Sequence, residues 1–200
     1  MVFVPPAVGV LGYVLTFGVS FAEAIAFLGM FIPGMTVVIT MGGLAAHGRY
    51  HLGPLMLLSA SGAALGDMMS YEFGRVGKKF LHRRPRVWKH VQKAQRTFQK
   101  HGWMAVGLGR FVSPLRGVTP LAAGVLGMER HRFYAAAAFF AVLWGVGSVS
   151  FGYFLGSASR TLAPTPHEGE WIFLGLAFAV ILFVILRRSL RLPRHKDMER

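Results

Sequence analysis

The stretch WMAVGLGRFVSPLRGVTPLAAGVLGM, Trp103 to Met128, decides how the chain folds. It is apolar enough to enter a bilayer, yet Arg110, Pro114, Arg116, Gly117 and Pro120 interrupt it. Proline removes an amide donor and collides with the preceding helical turn, and glycine weakens a helix interior. An arginine at mid-membrane costs a few kcal/mol or more. A regular crossing does not hold two Pro and two Arg. A hairpin that enters and leaves from one face does, because broken backbone at that depth survives where protein buries it or it lines a polar cavity. The segment is read as a re-entrant hairpin broken at Pro114 and Gly117.

A second interruption lies upstream. Phe31-Ile32-Pro33-Gly34 breaks an apolar stretch that ends at Gly42-Gly43-Leu44-Ala45-Ala46. Between and around the two breaks are ordinary apolar runs. Ala7 to Phe21 follows Pro5 and Pro6. Leu52 to Phe73 carries Gly62 and Gly66, four apart on one helix face, which permits close packing of another helix. Phe133 to Phe151 holds no charge, inside a span running to Leu155, and Ile172 to Leu186 is unbroken. A crossing needs about 20 apolar residues.

The two interrupted stretches repeat. Pro33 and Pro114 are 81 apart (114 minus 33), as are Gly43 and Gly124, and Gly66 and Gly147. Tyr71 and Tyr153 are 82 apart (153 minus 71), as are Gly74 and Gly156. The expected fold is therefore all-α: a polytopic membrane protein with two opposed re-entrant hairpins in an inverted repeat, as in secondary transporters. Its parts are a first half over 21–77, a basic cytoplasmic surface helix over 78–101, a second half over 102–157, a last transmembrane helix over 171–187 and a cytoplasmic tail over 188–200.

Charge sets the orientation. The net charge is +14, with 54% hydrophobic and 15% charged residues. Met1 to Gly48 has no Lys or Arg, whereas Lys78 to Lys100 has nine and no Asp or Glu. Five Arg and one Lys fall in Arg187 to Arg200. Basic residues clustered just outside apolar spans face the cytoplasm. The tail, Arg130, Arg132 and the basic segment are thus inside, and Ala163 to Glu170 is outside. Val87, Val91, Ala94 and Phe98 share a helix face flanked by Lys89, Lys93, Arg96 and Lys100. That pattern suits a helix on anionic lipid head groups. It also places the basic residues without a nucleic acid. With no cysteine, disulfides and thiolate metal sites are excluded. His47 and His51 have helical i, i+4 spacing but no third ligand nearby, so no metal is expected. No cofactor motif occurs. Trp88, Trp103 and Trp171 read as interfacial anchors.

Ionisable residues within the spans carry the chemistry. Arg110 and Arg116, beside a helix break, can form a planar fork for phosphate. Ser113 and Thr119 add hydroxyl donors. The same two Arg can also pair internally with Glu23 or Asp67, and the two readings are not exclusive. Those two carboxyls are the proton-carrier candidates. Glu72 and Arg75 fall near the membrane interface. No nucleophile–base constellation is present, so no enzymatic activity is expected.

Gly109-Arg110-Phe-Val-Ser-Pro-Leu-Arg116-Gly117, followed by Ala122-Ala-Gly124 and Met128, resembles the signature of the DedA family, also called the SNARE-associated or VTT-domain family. Gly62-Ala-Ala-Leu-Gly66-Asp67 with Tyr71, Gly74-Arg75 and Gly77 is similar too, as is Phe21-Ala-Glu23 followed by Ile32-Pro33-Gly34. The likeness covers about Phe21 to Ser157. It implies a bacterial inner-membrane protein with two opposed hairpins that translocates lipid: recycling undecaprenyl phosphate, flipping phospholipid, or sustaining proton-dependent membrane homeostasis. The family's functional acid maps to Glu23 and its arginine pair to Arg110 and Arg116. Many members carry Asp or Glu where this chain has Met35, so a relay of two carboxylates in the first hairpin is not carried over. The expected function is transport of a phosphate-bearing lipid, with a proton-coupled transporter of small ions or solutes as the alternative.

Overall fold

A computed structural model describes residues 6–25, 34–78, 88, 92, 95, 98, 100, 102–111, 118–162, 175 and 178. Pro33, Ser113, Pro114, Arg116, Gly117, the 163–170 loop and the 188–200 tail lie outside the described residues, as does most of 78–101 and of 171–187.

Six helices are described: α1 Pro6–Ala24, α2 Gly34–Ala46, α3 Leu52–Val76, α4 Met104–Phe111, α5 Thr119–Val125 and α6 Arg130–Leu162. The described residues contain no strand. Pro6 opens α1 at the first helical position, where its missing amide hydrogen costs nothing. Gly48, with φ 78°, turns the chain between α2 and α3, and Gly127, with φ 75°, does so between α5 and α6. A left-handed backbone is open to glycine without steric cost.

Helices α3 and α6 are long and apolar enough to cross a membrane. At 1.5 Å per residue their 25 and 33 residues reach about 38 and 50 Å. Both exceed the ~30 Å hydrocarbon core. As described, α2, α4 and α5 run 13, 8 and 7 residues, each less than a crossing needs.

Packing brings α1 onto α3, α2 onto α6, α5 onto α3, and α3 against α6. Glycines make these approaches possible. A Cβ on Gly62 or Gly66 would strike the carbonyls of Phe17 and Phe21 on α1, as their spacing predicts. A Cβ on Gly74 would overlap the Leu121 carbonyl, and one on Gly124 the Tyr71 carbonyl, so α5 and α3 touch backbone to backbone. Gly42 meets Val149, Gly152 meets Ile39 and Gly156 meets Gly43 in the same way between α2 and α6.

Polarity runs inside out. Thr16, Ser20, Glu23, Ser59, Asp67 and Arg110 are buried, whereas Leu57 is 70% exposed, Phe154 67% and Val10 61%. Water would drive such large side chains inward. Hydrocarbon does not, and it penalises the polar groups that are here enclosed.

Candidate functional site

The site forms where α3, α4 and α6 meet. Asp67 lies in the second half of α3, on the face shared with Ala63. Arg110 lies in the last turn of α4, just before the interruption that the sequence predicts. Both are buried, with Asp67 at 4% and Arg110 at 6% exposure. Arg110 Nη2 donates to Asp67 Oδ2 and, at 3.3 Å, to the Ala63 carbonyl. Its guanidinium carbon stands 5.8 Å from the Trp144 ring centroid on α6. Burying a charge is tolerable only with such partners. For Arg110 the structure contains the internal ion pair that the residues allowed, with Asp67 as partner.

Thr119 begins α5 and is buried against the backbone of Gly109. A Cβ at Gly109 would overlap the Thr119 side chain, so the glycine beside Arg110 is what seats Thr119 there. Arg110 and Thr119, separated in sequence by the break, therefore sit on adjoining turns. Arg116 and Ser113 belong to the segment outside the described residues.

Glu23 ends up inside the protein rather than at an exposed interface, at 7% exposure. Its carboxylate rests on Gly34, the first residue of α2, where a Cβ would collide with it. A carboxylate at a helix N-terminus is favoured by the partial positive charge of unbonded amides. Ser70 Oγ donates to the Ala24 carbonyl at 3.0 Å and fixes the end of α1 to α3, one turn beyond Asp67. Gly34 is thus a seat for Glu23 as well as part of a break.

Some partners were not foreseen. Trp144 is buried beneath Arg110; its place in the middle of an uncharged run, far from either interface, was the available signal. Glu72 accepts from Arg130 Nε at 2.9 Å and Nη2 at 3.0 Å, and from the Tyr134 hydroxyl at 2.7 Å. His47 meets Ser159 at 3.3 Å, while the His51 amide donates to the Tyr13 hydroxyl at 2.9 Å. Trp103 is exposed, but Trp88 packs on Ala122 and Val125 of α5.

A sequence profile of the VTT domain matches residues 32–154, which include Asp67, Arg110 and Thr119. The chain belongs to the DedA family of VTT-domain proteins. It is 30% identical over 169 residues to the inner membrane protein YabI of Escherichia coli, covering 83% of this chain and 66% of YabI. It is 32% identical over 149 residues to the inner membrane protein YghB of Escherichia coli, covering 72% and 67%. An uncharacterized membrane protein of Mycobacterium tuberculosis is 33% identical over 175 residues, covering 81% and 78%. The chain spans 50% of the length of one Buchnera aphidicola membrane protein and 66% of another. No solved structure matches it. This DedA chain is a protein of the bacterial inner membrane, and its buried ion pair lies within the domain that defines the family.

Proposed function

We propose that the chain is a transporter, not an enzyme, and that it carries a phosphate-bearing lipid, undecaprenyl phosphate or a phospholipid, across the inner membrane. The observation that carries this reading is the buried Arg110, held against Asp67 in a bundle whose outer surface is apolar. An arginine there is costly, and recognition of an anion is a reason to keep it. Guanidinium matches phosphate through parallel N–H donors, which an ammonium does not reproduce. Thr119 adjoins Arg110, and Arg116 and Ser113 supply further donors. The lipid tail stays in the bilayer while the phosphate sits between the hairpin tips.

The proposed cycle is an exchange of partners. Asp67 neutralises Arg110 when no lipid is bound. The phosphate displaces it when lipid enters. Protonation of Asp67 or Glu23 lowers the competition and favours loading. Two opposed hairpins, broken at Pro33–Gly34 and at Pro114–Gly117, complete the reading. In its support, α2 of the first half packs on α6 of the second, and α5 of the second packs on α3 of the first. Gly42 and Gly124, 82 apart (124 minus 42), make equivalent backbone approaches in the two pairings. The short helices α4 and α5 on either side of the second break, and α2 after the first, fit hairpins better than crossings.

The test is reconstitution in vesicles with a fluorescent lipid phosphate, scored for exchange between leaflets. Wild type should exchange it. Arg110→Lys, which keeps the charge and loses the fork, should be strongly slowed while still inserting. Solute uptake without lipid exchange would refute the lipid reading.

A further inference from the structure

At the other end of α3, an open recess of about 450 Å³ is lined by Arg75, Gly127, Met128, Glu129, Arg130 and His131. It lies between the last turn of α3 and the start of α6, at the face that the basic segment assigns to the cytoplasm. We infer that this recess is a second anion site, which binds a phosphate group through Arg75 and Arg130 before it reaches Arg110.

The charge balance of the recess points to an anion. Glu72 is fully engaged by Arg130 and Tyr134, through the three bonds given above. Glu129 is engaged by Arg132 Nε at 2.7 Å and by His131 at 3.5 Å. Each carboxylate at this end of the fold therefore has its own cation. Arg75 makes no hydrogen bond or close ion pair among the described residues; its charge reaches Glu72 only through space, and its side chain is exposed on the recess wall.

Arg130 is also prepared. Glu72 grips it by Nε and Nη2, in a planar two-bond pair. The half-exposed side chain is thereby oriented, and Nη1 is left out of that pair. A fixed guanidinium loses less entropy on binding an anion than a mobile one. Glu72 acts here as a positioning residue. The Tyr71 hydroxyl donates to the Met128 carbonyl, which holds the recess floor against α3.

The surroundings favour a lipid as the source of the phosphate. Phe73, 56% exposed, and Val76, 84% exposed, lie on the same last turn of α3 but outside the recess lining. Those exposed apolar side chains keep that turn of α3 in contact with lipid, so a head group held by Arg75 would have its acyl or prenyl chain in the bilayer alongside. Free phosphate has the same head chemistry but gains nothing from the bilayer. As a staging point for transport the recess rests on the lipid-phosphate reading; as an anion site it does not.

The chain has no cysteine, so His131→Cys accepts a single environment-sensitive fluorophore at the rim. The labelled full chain in detergent is titrated with inorganic phosphate and with a short-chain phosphatidic acid. Both should change the emission, the lipid with at least tenfold higher affinity. Arg75→Gln should weaken binding at least tenfold, with Arg75→Lys in between, and Arg110→Lys should leave the rim signal unchanged. Equal affinities for the two probes would keep the site and make free phosphate its ligand. No response to either probe, or an unchanged affinity in Arg75→Gln, would overturn the inference. Rim binding without leaflet exchange in wild-type vesicles would retain the site and refute transport. Exchange that persists with an inert rim would do the reverse.

Discussion

Replacing Asp67 by Asn should separate the structural from the transport role of the buried pair. The substitution keeps size and one acceptor but removes the charge opposite Arg110. Arg110 would retain the Ala63 carbonyl at 3.3 Å and the face of Trp144 at 5.8 Å. Neither neutralises a guanidinium that is 6% exposed. Removing one partner of a buried pair costs about 3–5 kcal/mol. At about 2–4 °C per kcal/mol for a chain of this size, the unfolding midpoint should fall by about 6–20 °C. The assay is thermal unfolding in detergent, followed by loss of the monodisperse peak. The double variant Asp67→Leu with Arg110→Met, which fills the same space without charge, should regain most of that loss. It should nevertheless transport nothing, since the phosphate partner is gone. An Asp67→Asn midpoint corresponding to less than about 1 kcal/mol of loss would show that the pair is solvated or easily replaced, and the argument from burial would fail.

Three more outcomes follow from the same geometry. Gly124→Ala should destabilise by about 1–3 kcal/mol or more, because its Cβ meets the Tyr71 carbonyl, whereas Gly18→Ala, with open space around it, should be neutral or gain up to about 1 kcal/mol; equal midpoints would refute the close α5–α3 approach. Transport should rise as pH falls, and either Glu23→Gln or Asp67→Asn should flatten that profile; unchanged profiles in both would place proton coupling elsewhere. For orientation, a cysteine at exposed Thr161 suits an impermeant thiol reagent better than one at Ser159, which is buried and donates to the Gly156 carbonyl at 2.8 Å. Thr161→Cys should label in intact cells and Lys93→Cys should not; equal labelling would reverse the assigned topology.

Much was legible without coordinates because it rests on local physics. Apolar runs of sufficient length cross membranes, so α3 and α6 follow from counting, with ends that extend a few residues past the runs into Arg75-Val76 and Arg130-His131. An arginine inside an apolar stretch is costly, which singles out Arg110 from the sequence alone. Glycines four apart predicted a close helix contact on one face of α3. Family membership was readable for the same reason: the motif residues are the ones that break or tighten helices.

Tertiary packing decided who meets whom. Periodicity places Asp67 and Glu23 on helix faces, but it does not fix how each helix is rotated against its neighbours. That rotation gave Arg110 to Asp67, 43 residues away, and seated Glu23 on the first turn of α2. It also put Trp144 under the guanidinium and left Arg75 at a recess in which every nearby carboxylate was already taken. Sequence supplied the charged groups and the apolar runs that hold them. Only the three-dimensional contacts set which charges cancel, because cancellation depends on ångström-scale distances between helices that no pattern along a single chain encodes.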